Sequence, residues 1–223
     1  METFRTEEEQ VEAIKRWWQE NGKSTVLGVA IAMAAVFGWR GWNDYQREQA
    51  AEASVIYDNL LQADAALAND ASKRSTAEHL AETLKSAYSG LDYAQYAALM
   101  KAKYAVADGD YPTAEMELEW VLAQKPEKAI RIQTEMRLAK VKAVSGDNAA
   151  ALALITKLEN TPVAPLAAEL RGDILHAQGK PAEALAAYEQ ARVLGRRQES
   201  PMNNPLLDMK INSLAAYKVA AGQ

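Results

Sequence analysis

Residues 170–188 read LRGDILHAQGKPAEALAAY, and this stretch contains the features that decide the fold. The pattern is helical here, as it is through almost all of the body of the chain, with no sustained period-two segment. The turn Gly179-Lys180-Pro181 divides the stretch into two halves. Small residues, Gly172 before the turn and Ala184 after it, stand where two helices can cross closely. The stretch therefore predicts a helical hairpin.

The same arrangement occurs twice upstream, and the three turn glycines are 37 and 33 residues apart. Each copy has a small residue seven positions before the glycine and an Ala five positions after it. Two further apolar or aromatic residues follow, nine and twelve positions after the glycine. The sets are Gly109, Gly146 and Gly179; Ala102, Ala139 and Gly172; Ala114, Ala151 and Ala184; Leu118, Ile155 and Tyr188; and Val121, Leu158 and Ala191. This is the tetratricopeptide (TPR) pattern, in which stacked hairpins bury a continuous core.

These repeats predict an all-α fold, a TPR-like right-handed α-solenoid of helical hairpins. Apolar residues at 206–214 predict a C-terminal capping helix, which a repeat array needs because a hairpin cannot bury its apolar face alone. Residues 43–92 are expected to form a helical extension, with helices over 43–68 and 75–88, and a degenerate hairpin. The TPR-like region is 93–223, with repeats at about 95–128, 132–163 and 165–196.

Composition excludes several classes of protein. The 223 residues include 44 Ala but 2 Phe, and Ala-rich composition favours helix. Hydrophobic types make up 49% of the chain, yet mean hydropathy is −0.30, which excludes a polytopic membrane protein. The net charge of −5, without a basic stripe, argues against a nucleic-acid surface. The absence of Cys excludes disulfides, thiol catalysis and Cys-based metal sites.

A predicted transmembrane helix occupies 22–42. No charged residue lies between Ser24 and Trp39, and the 21 residues would span roughly 31 Å, the thickness of a hydrocarbon core. A buried core helix would leave the clustered Trp residues unexplained. A cleaved signal peptide would need a short basic start and a small-residue cleavage site, whereas 23 residues, six of them Glu, precede the uncharged stretch that begins at Ser24. An uncleaved anchor is therefore predicted.

Aromatic and basic residues flank the span at both ends, where the membrane–water interface favours them. These membrane-interface residues are Trp17, Trp18, Lys23, Trp39, Arg40 and Trp42. Four basic residues up to Lys23 precede the uncharged stretch 24–39, and two follow it within a comparable distance. This bias predicts a cytoplasmic tail at 1–21 and export of the remainder. The tail has a helical apolar stripe that could lie on the membrane or contact a partner.

The first helix of each TPR hairpin lines the concave face of the array, and the glycine register predicts which residues point into this groove. The candidate partner-binding residues are Tyr96, Leu99, Lys103, Val106, Gln133, Met136, Lys140, Ala143, Leu166, Glu169, Asp173 and His176. This mixture of apolar and charged groups suits an extended peptide or a partner helix. The alternative for each apolar position is that it belongs to the core between repeats.

No arrangement typical of an enzyme, metal site or cofactor site is found. The two His residues, His79 and His176, lie in different repeats without a spaced His or Cys partner. Phosphate-binding loops and nucleophile motifs are absent from the sequence. Carboxylates on the helices alternate with Lys and Arg, which is typical of a solvated face. A non-enzymatic interaction protein without a cofactor is predicted.

Several segments resemble the YfgM-type ancillary subunits of the bacterial Sec translocon. They are QVEAIKRWWQENGK at 10–23, GWRGWN at 38–43, LAKV at 138–141, LRGD at 170–173 and MKINSL at 209–214. The similarity extends over nearly the whole chain, and its N-terminal segment is the most specific part.

The resemblance implies a single-pass protein of the bacterial inner membrane with a periplasmic TPR domain. Its expected partners are the SecYEG translocon and a periplasmic chaperone of the PpiD type, and its expected role is to assist exported proteins. The resemblance also implies a link between the tail and a cytoplasmic response regulator. Two alternatives remain: a membrane-anchored TPR scaffold for another envelope complex, and a stress-response regulator acting through the tail.

Overall fold

The computed structural model describes residues 7–197 and 204–215, which form nine α-helices and no strand. The all-α prediction is therefore confirmed. Residues 1–6 of the predicted tail, and 198–203 and 216–223 of the predicted repeat region, lie outside the described residues. The helices are α1 (Glu7–Ala66), α2 (Lys73–Ala87), α3 (Asp92–Ala107), α4 (Tyr111–Ala123), α5 (Lys128–Val144), α6 (Asn148–Leu158), α7 (Ala164–Ala177), α8 (Pro181–Arg196) and α9 (Pro205–Ser213).

The chain divides into two compact units, Met1–Glu52 and Ala53–Gln223. The first contains the N-terminal part of α1, which is long and apolar enough to cross a membrane. Its large apolar side chains are exposed, with Leu27 at 62% and Phe37 at 67%. Only 6% of its most apolar stretch is buried. Such exposure excludes a soluble core helix, the first alternative considered from the sequence.

Three helical hairpins form the body of the second unit: α3 with α4, α5 with α6, and α7 with α8. Each turn contains one of the predicted glycines, and Gly109, Gly146 and Gly179 have φ values of 74°, 93° and 73°. Side chains seldom adopt this left-handed region, so the turns require glycine. Asp110 and Asp147 then cap the second helices, because their Oδ1 atoms accept bonds from backbone N–H groups at 3.2 and 3.1 Å.

Close crossings within the hairpins explain the small residues of the pattern. Ala114, Ala151 and Ala184 are fully buried, and Ala139 is also buried, on the first helix of its hairpin. Gly172 has the closest approach, because a Cβ at this position would overlap the ring of Tyr188. The register read from the sequence is therefore the register in which these helices pack.

Helices adjacent in the sequence account for nearly all the packing between elements of the second unit. The buried clusters repeat this order. One joins α5, α6 and α7 through Met136, Ile155 and Ala167, and another joins α7, α8 and α9 through Ala168, Tyr188 and Ile211. A stack of hairpins, each covered by the next, is the architecture that the TPR pattern predicts.

Two flanking helices lie close to the positions expected from the sequence. α2 covers most of the predicted 75–88 helix, and the expected terminal helix is α9, which buries Leu207, Ile211 and Leu214. The sequence places a break from Gly195 to Pro205. Instead, α8 continues through Gly195 to Arg196, because a glycine costs a helix only about 1 kcal/mol relative to Ala and does not by itself end it.

One carboxylate contradicts the prediction that the charged residues form a solvated face. The side chain of Glu117 on α4 is 1% exposed, and its oxygens lie 2.6 Å from Lys85 Nζ on α2 and 2.9 Å from Lys101 Nζ on α3. Burial lowers the pKa of Lys101, but bonds to Glu82 and Glu117 outweigh it, so the pKa is raised. The equivalent position, eight residues after the turn glycine, holds Leu154 and Ala187 in the other hairpins. A carboxylate at a position that is otherwise apolar is the sequence feature that indicates this buried charge.

Candidate partner-binding surface

The predicted groove residues lie on α3, α5 and α7, and the structure separates them into four groups. Four of them line an open pocket, two are ion-paired to α9, two are wholly or partly buried in the core, and the remaining four are accessible. Met136 is 3% exposed and packs in the cluster around Ile155, so its prediction as a partner contact is wrong. Its position faces the neighbouring hairpin, which sequence register alone does not reveal.

A pocket of about 480 Å³ lies between α3 and α5. Four predicted groove residues line it, namely Leu99, Lys103, Val106 and Lys140. Its remaining lining is mostly apolar and comes from Met100, Ala102, Leu118 and Val141, with one further cation, Arg137. The equivalent lysines of successive repeats thus share one site, as the register implies. The pocket combines an apolar floor with three cationic side chains.

Lys103 has an intramolecular partner in the last turn of α1. Its Nζ lies 2.9 Å from Asp64 Oδ1, and the Tyr104 hydroxyl donates to the same oxygen at 2.9 Å. Burial raises the pKa of Asp64, but the hydrogen bonds from Lys103 and Tyr104, with the lysine charge, outweigh it and lower the pKa. The pKa of the Tyr104 hydroxyl is raised, first by burial and then by its bond to Asp64.

Arg137 and Lys140 differ from Lys103 because neither has an ion pair within residues 7–197 and 204–215. Both are exposed on α5. Sequence reasoning missed Arg137, although position nine before the turn glycine holds Met100 and Leu170 in the other hairpins. A cation at a repeat position that is otherwise apolar is the sequence feature that could have identified it.

Two of the groove positions of α7, Glu169 and Asp173, are ion-paired to another helix of the chain. Lys210 Nζ on α9 lies 2.8 Å from Glu169 Oε1 and 2.7 Å from Asp173 Oδ1. The Tyr188 hydroxyl donates to Asp173 at 2.8 Å. Burial lowers the pKa of Lys210, but the two carboxylates outweigh it and raise the pKa. The prediction that Glu169 and Asp173 contact a partner needs correction, because α9 already uses both carboxylates.

Ala143 is partly buried against the cluster around Ile155, and the other predicted positions are accessible. Tyr96 is 36% exposed, and its ring centroid lies 5.9 Å from that of Tyr57 on α1. Leu166 is 45% exposed at the start of α7, and Gln133 and His176 are also exposed. Within the part of the chain that the structure describes, no cluster of His, Cys, Asp and Glu is arranged to hold a metal ion.

The predicted membrane-interface residues project from α1 in the first unit. Trp17 and Trp18 are 51% and 54% exposed before the apolar stretch, and Trp39 and Trp42 are 69% and 62% exposed after it. Lys23 and Arg40 are exposed as well. The ring of Trp18 packs over Gly22, whose Cβ position would be 3.2 Å from it. These groups are free to meet a lipid interface.

The chain is similar to known proteins over both its apolar helix and its helical hairpins. A family model described as a tetratricopeptide repeat-like domain matches residues 15–216. A Haemophilus influenzae protein named "Ancillary SecYEG translocon subunit" is 31% identical over 208 residues, 93% of this chain and 97% of that protein. The Escherichia coli protein with the same name is 31% identical over 215 residues, 96% of this chain and 100% of that protein.

A Neisseria gonorrhoeae protein, again named as an ancillary SecYEG translocon subunit, is 29% identical over 211 residues, 93% of this chain and 97% of that protein. No solved structure matches the chain significantly. The matches cover both the apolar helix and the hairpins that the structure contains. The chain therefore belongs to the tetratricopeptide repeat-like family that includes the ancillary SecYEG translocon subunits.

Proposed function

We propose that this chain is a non-enzymatic, membrane-anchored adaptor of the bacterial Sec translocon. The observation that carries the proposal is the full-length similarity to proteins named as ancillary SecYEG subunits, which includes the apolar helix as well as the repeats. The uncovered apolar side chains of α1 support an anchor, since such surface is stable in lipid. Stacked hairpins with an open pocket support a protein-binding role.

In this proposal the tail is cytoplasmic, α1 crosses the inner membrane over 22–42, and the hairpins are periplasmic. The excess of Lys and Arg before the span supports this orientation. A periplasmic chaperone of the PpiD type is the proposed partner of the hairpins, which would bring it close to exported proteins as they leave the channel. A regulator would contact the tail, where Val11 and Ile14 are 50% and 66% exposed.

Affinity purification from membranes in mild detergent tests the adaptor role. We expect the full-length tagged chain to recover SecYEG and the chaperone together. A variant lacking residues 1–42 should lose SecYEG, because it has no anchor. A chain with the same tail and hairpins on an unrelated span shows whether α1 does more than anchor. Recovery of SecYEG no greater than with an unrelated single-span protein would contradict the proposal.

Orientation has a separate test. Alkaline phosphatase fused after Gln223 is expected to be active, because this enzyme folds only when exported. A fusion at the N-terminus of the chain should be inactive. The opposite pattern would place the hairpins in the cytoplasm and remove the chaperone from the proposal.

A further inference from the structure

The residue six positions before the turn glycine has a different ion-pair partner, or none, in each hairpin. This position holds Lys103, Lys140 and Asp173 in turn. Lys103 is paired with Asp64 of α1, and Asp173 is paired with Lys210 of α9. Lys140 has no ion pair among residues 7–197 and 204–215. The residues at the two ends of this row are therefore ion-paired to flanking helices, and the residue in the middle is not.

The two ion-paired ends of the row share a second property. Each flanking helix supplies a charged residue together with a buried apolar residue three or four positions away. Asp64 follows Leu60, which is fully buried in the cluster that contains Tyr104. Lys210 lies between Leu207 and Leu214, which pack against Tyr188. At both ends of the row, the chain thus uses a helix that carries one charged and one apolar residue on the same face.

The unpaired middle position also has both apolar surface and charge beside it. Val106, 43% exposed, and Leu99 supply apolar surface in the pocket, and Arg137 and Lys140 supply charge. These two cations have no carboxylate of the chain as an ion-pair partner within the described ranges, although the chain as a whole has a net charge of −5. Local positive charge on an acidic protein attracts acidic partners in particular.

Resting on the proposed adaptor function, we infer that the pocket between α3 and α5 binds a helix of a partner protein that carries Asp or Glu three or four residues from a large apolar side chain. The carboxylate pairs with Arg137 and Lys140 as Asp64 pairs with Lys103. The apolar side chain enters the 480 Å³ pocket beside Leu99 and Val106. A cavity of this size is typical of sites that bind through apolar contact and a few polar groups.

A library of helical peptides with both termini blocked tests this inference. One face is randomised over Ala, Leu, Phe, Glu, Gln and Lys, and the probe is selected on the full-length chain in mild detergent. We expect enrichment of Glu three or four residues from Leu or Phe. The Arg137→Gln/Lys140→Gln variant should bind the selected peptides about tenfold more weakly, since bonds to charged groups contribute strongly.

Two matched variants separate binding from folding. Lys157→Gln removes an exposed cation from α6, outside the pocket, and is expected to leave the affinity unchanged. Val106→Asn changes a half-exposed pocket residue and should weaken the preference for Leu and Phe without lowering the melting temperature. Absence of selected peptides, selection without Glu, or equal binding by the double variant would each overturn the inference.

The same variants distinguish this inference from the proposed function. If the library selects no acidic peptide while the full-length chain still recovers SecYEG, the pocket assignment fails and the adaptor role stands. If acidic helices are selected and SecYEG is not recovered, the pocket assignment stands and the translocon role fails.

Discussion

In the first unit the large apolar side chains are exposed, whereas in the second many apolar side chains are small and buried. Leu27 and Phe37 project outward from α1, while Ala114, Ala151 and Ala184 are fully buried at helix crossings. Both sets count equally toward a hydrophobic content of 49%. The difference shows that side-chain size and exposure, rather than composition, separate an apolar helix of membrane-spanning length from helices that pack against protein.

The largest expected effect concerns an exception to this division, the buried charge in the second unit. Glu117→Ala should lower the free energy of unfolding by about 3–5 kcal/mol, because it leaves Lys85 and Lys101 without their buried partner. Urea denaturation of the full-length chain measures the change. Glu119→Ala is the control on the same helix, since this carboxylate is 59% exposed and its loss should cost less than about 0.5 kcal/mol. Equal effects would show that Glu117 is solvated.

A charge placed in the first unit tests the environment of the exposed apolar residues. Val29 is 52% exposed, so Val29→Arg would be almost neutral in water. In a bilayer it should cost about 2.5–3.5 kcal/mol of insertion free energy. The measurement is the fraction of chain that resists alkaline extraction from membranes, with Val29→Leu as control. Full retention of the Arg variant would contradict a lipid-facing helix.

The close crossing in the third hairpin gives a smaller effect. Gly172→Ala should destabilise the chain by about 1–3 kcal/mol, because the new methyl group overlaps the Tyr188 ring. Gly195→Ala is the matched control on α8, where the nearest atom to the added Cβ is 4.0 Å away. The control should be neutral or stabilising by up to about 1 kcal/mol. Similar losses in both variants would mean that helix propensity, not packing, sets the requirement.

The smallest effect is at the ion pairs of α9. Lys210→Met should reduce stability by about 0.5–1 kcal/mol at neutral pH, since these pairs are partly solvated. The folded-state pKa of Lys210 is raised, so its contribution is complete below the unfolded value of about 10.4 and is lost as the pH rises through the folded value. Denaturation of both chains from pH 7 to 12 should show the difference shrinking only at alkaline pH. A difference that instead shrinks on acidification from pH 7 to 5 would assign it to another group.

The sequence predicts local geometry well, because turns and close crossings are properties of one hairpin. Gly109, Gly146 and Gly179 identify the turns, and the flanking small residues identify the crossings. The inward direction of α5 is predicted less well, since Met136 is buried while Arg137 lines the pocket. Which side of a helix meets its neighbour depends on how hairpins stack, and that is set by contacts between repeats.

Interactions across the array are the least predictable. Glu169 and Asp173 have the spacing of groove residues, and only the position of α9 shows that Lys210 occupies them. Asp64 and Lys103 are 39 residues apart, and no local pattern links them. Charges on amphipathic helices are consistent with solvent, with an ion pair or with a partner, and the sequence does not distinguish these three.

The neighbour-to-neighbour packing of the second unit has a consequence for how it opens. Because each helix packs mainly against those beside it in the sequence, the loss of one end does not remove the support of the other. Amide hydrogens of α9 should therefore exchange with solvent faster than those of α5, which has neighbours on both sides. Thermal fraying would begin at the C-terminal end and would leave the pocket between α3 and α5 intact.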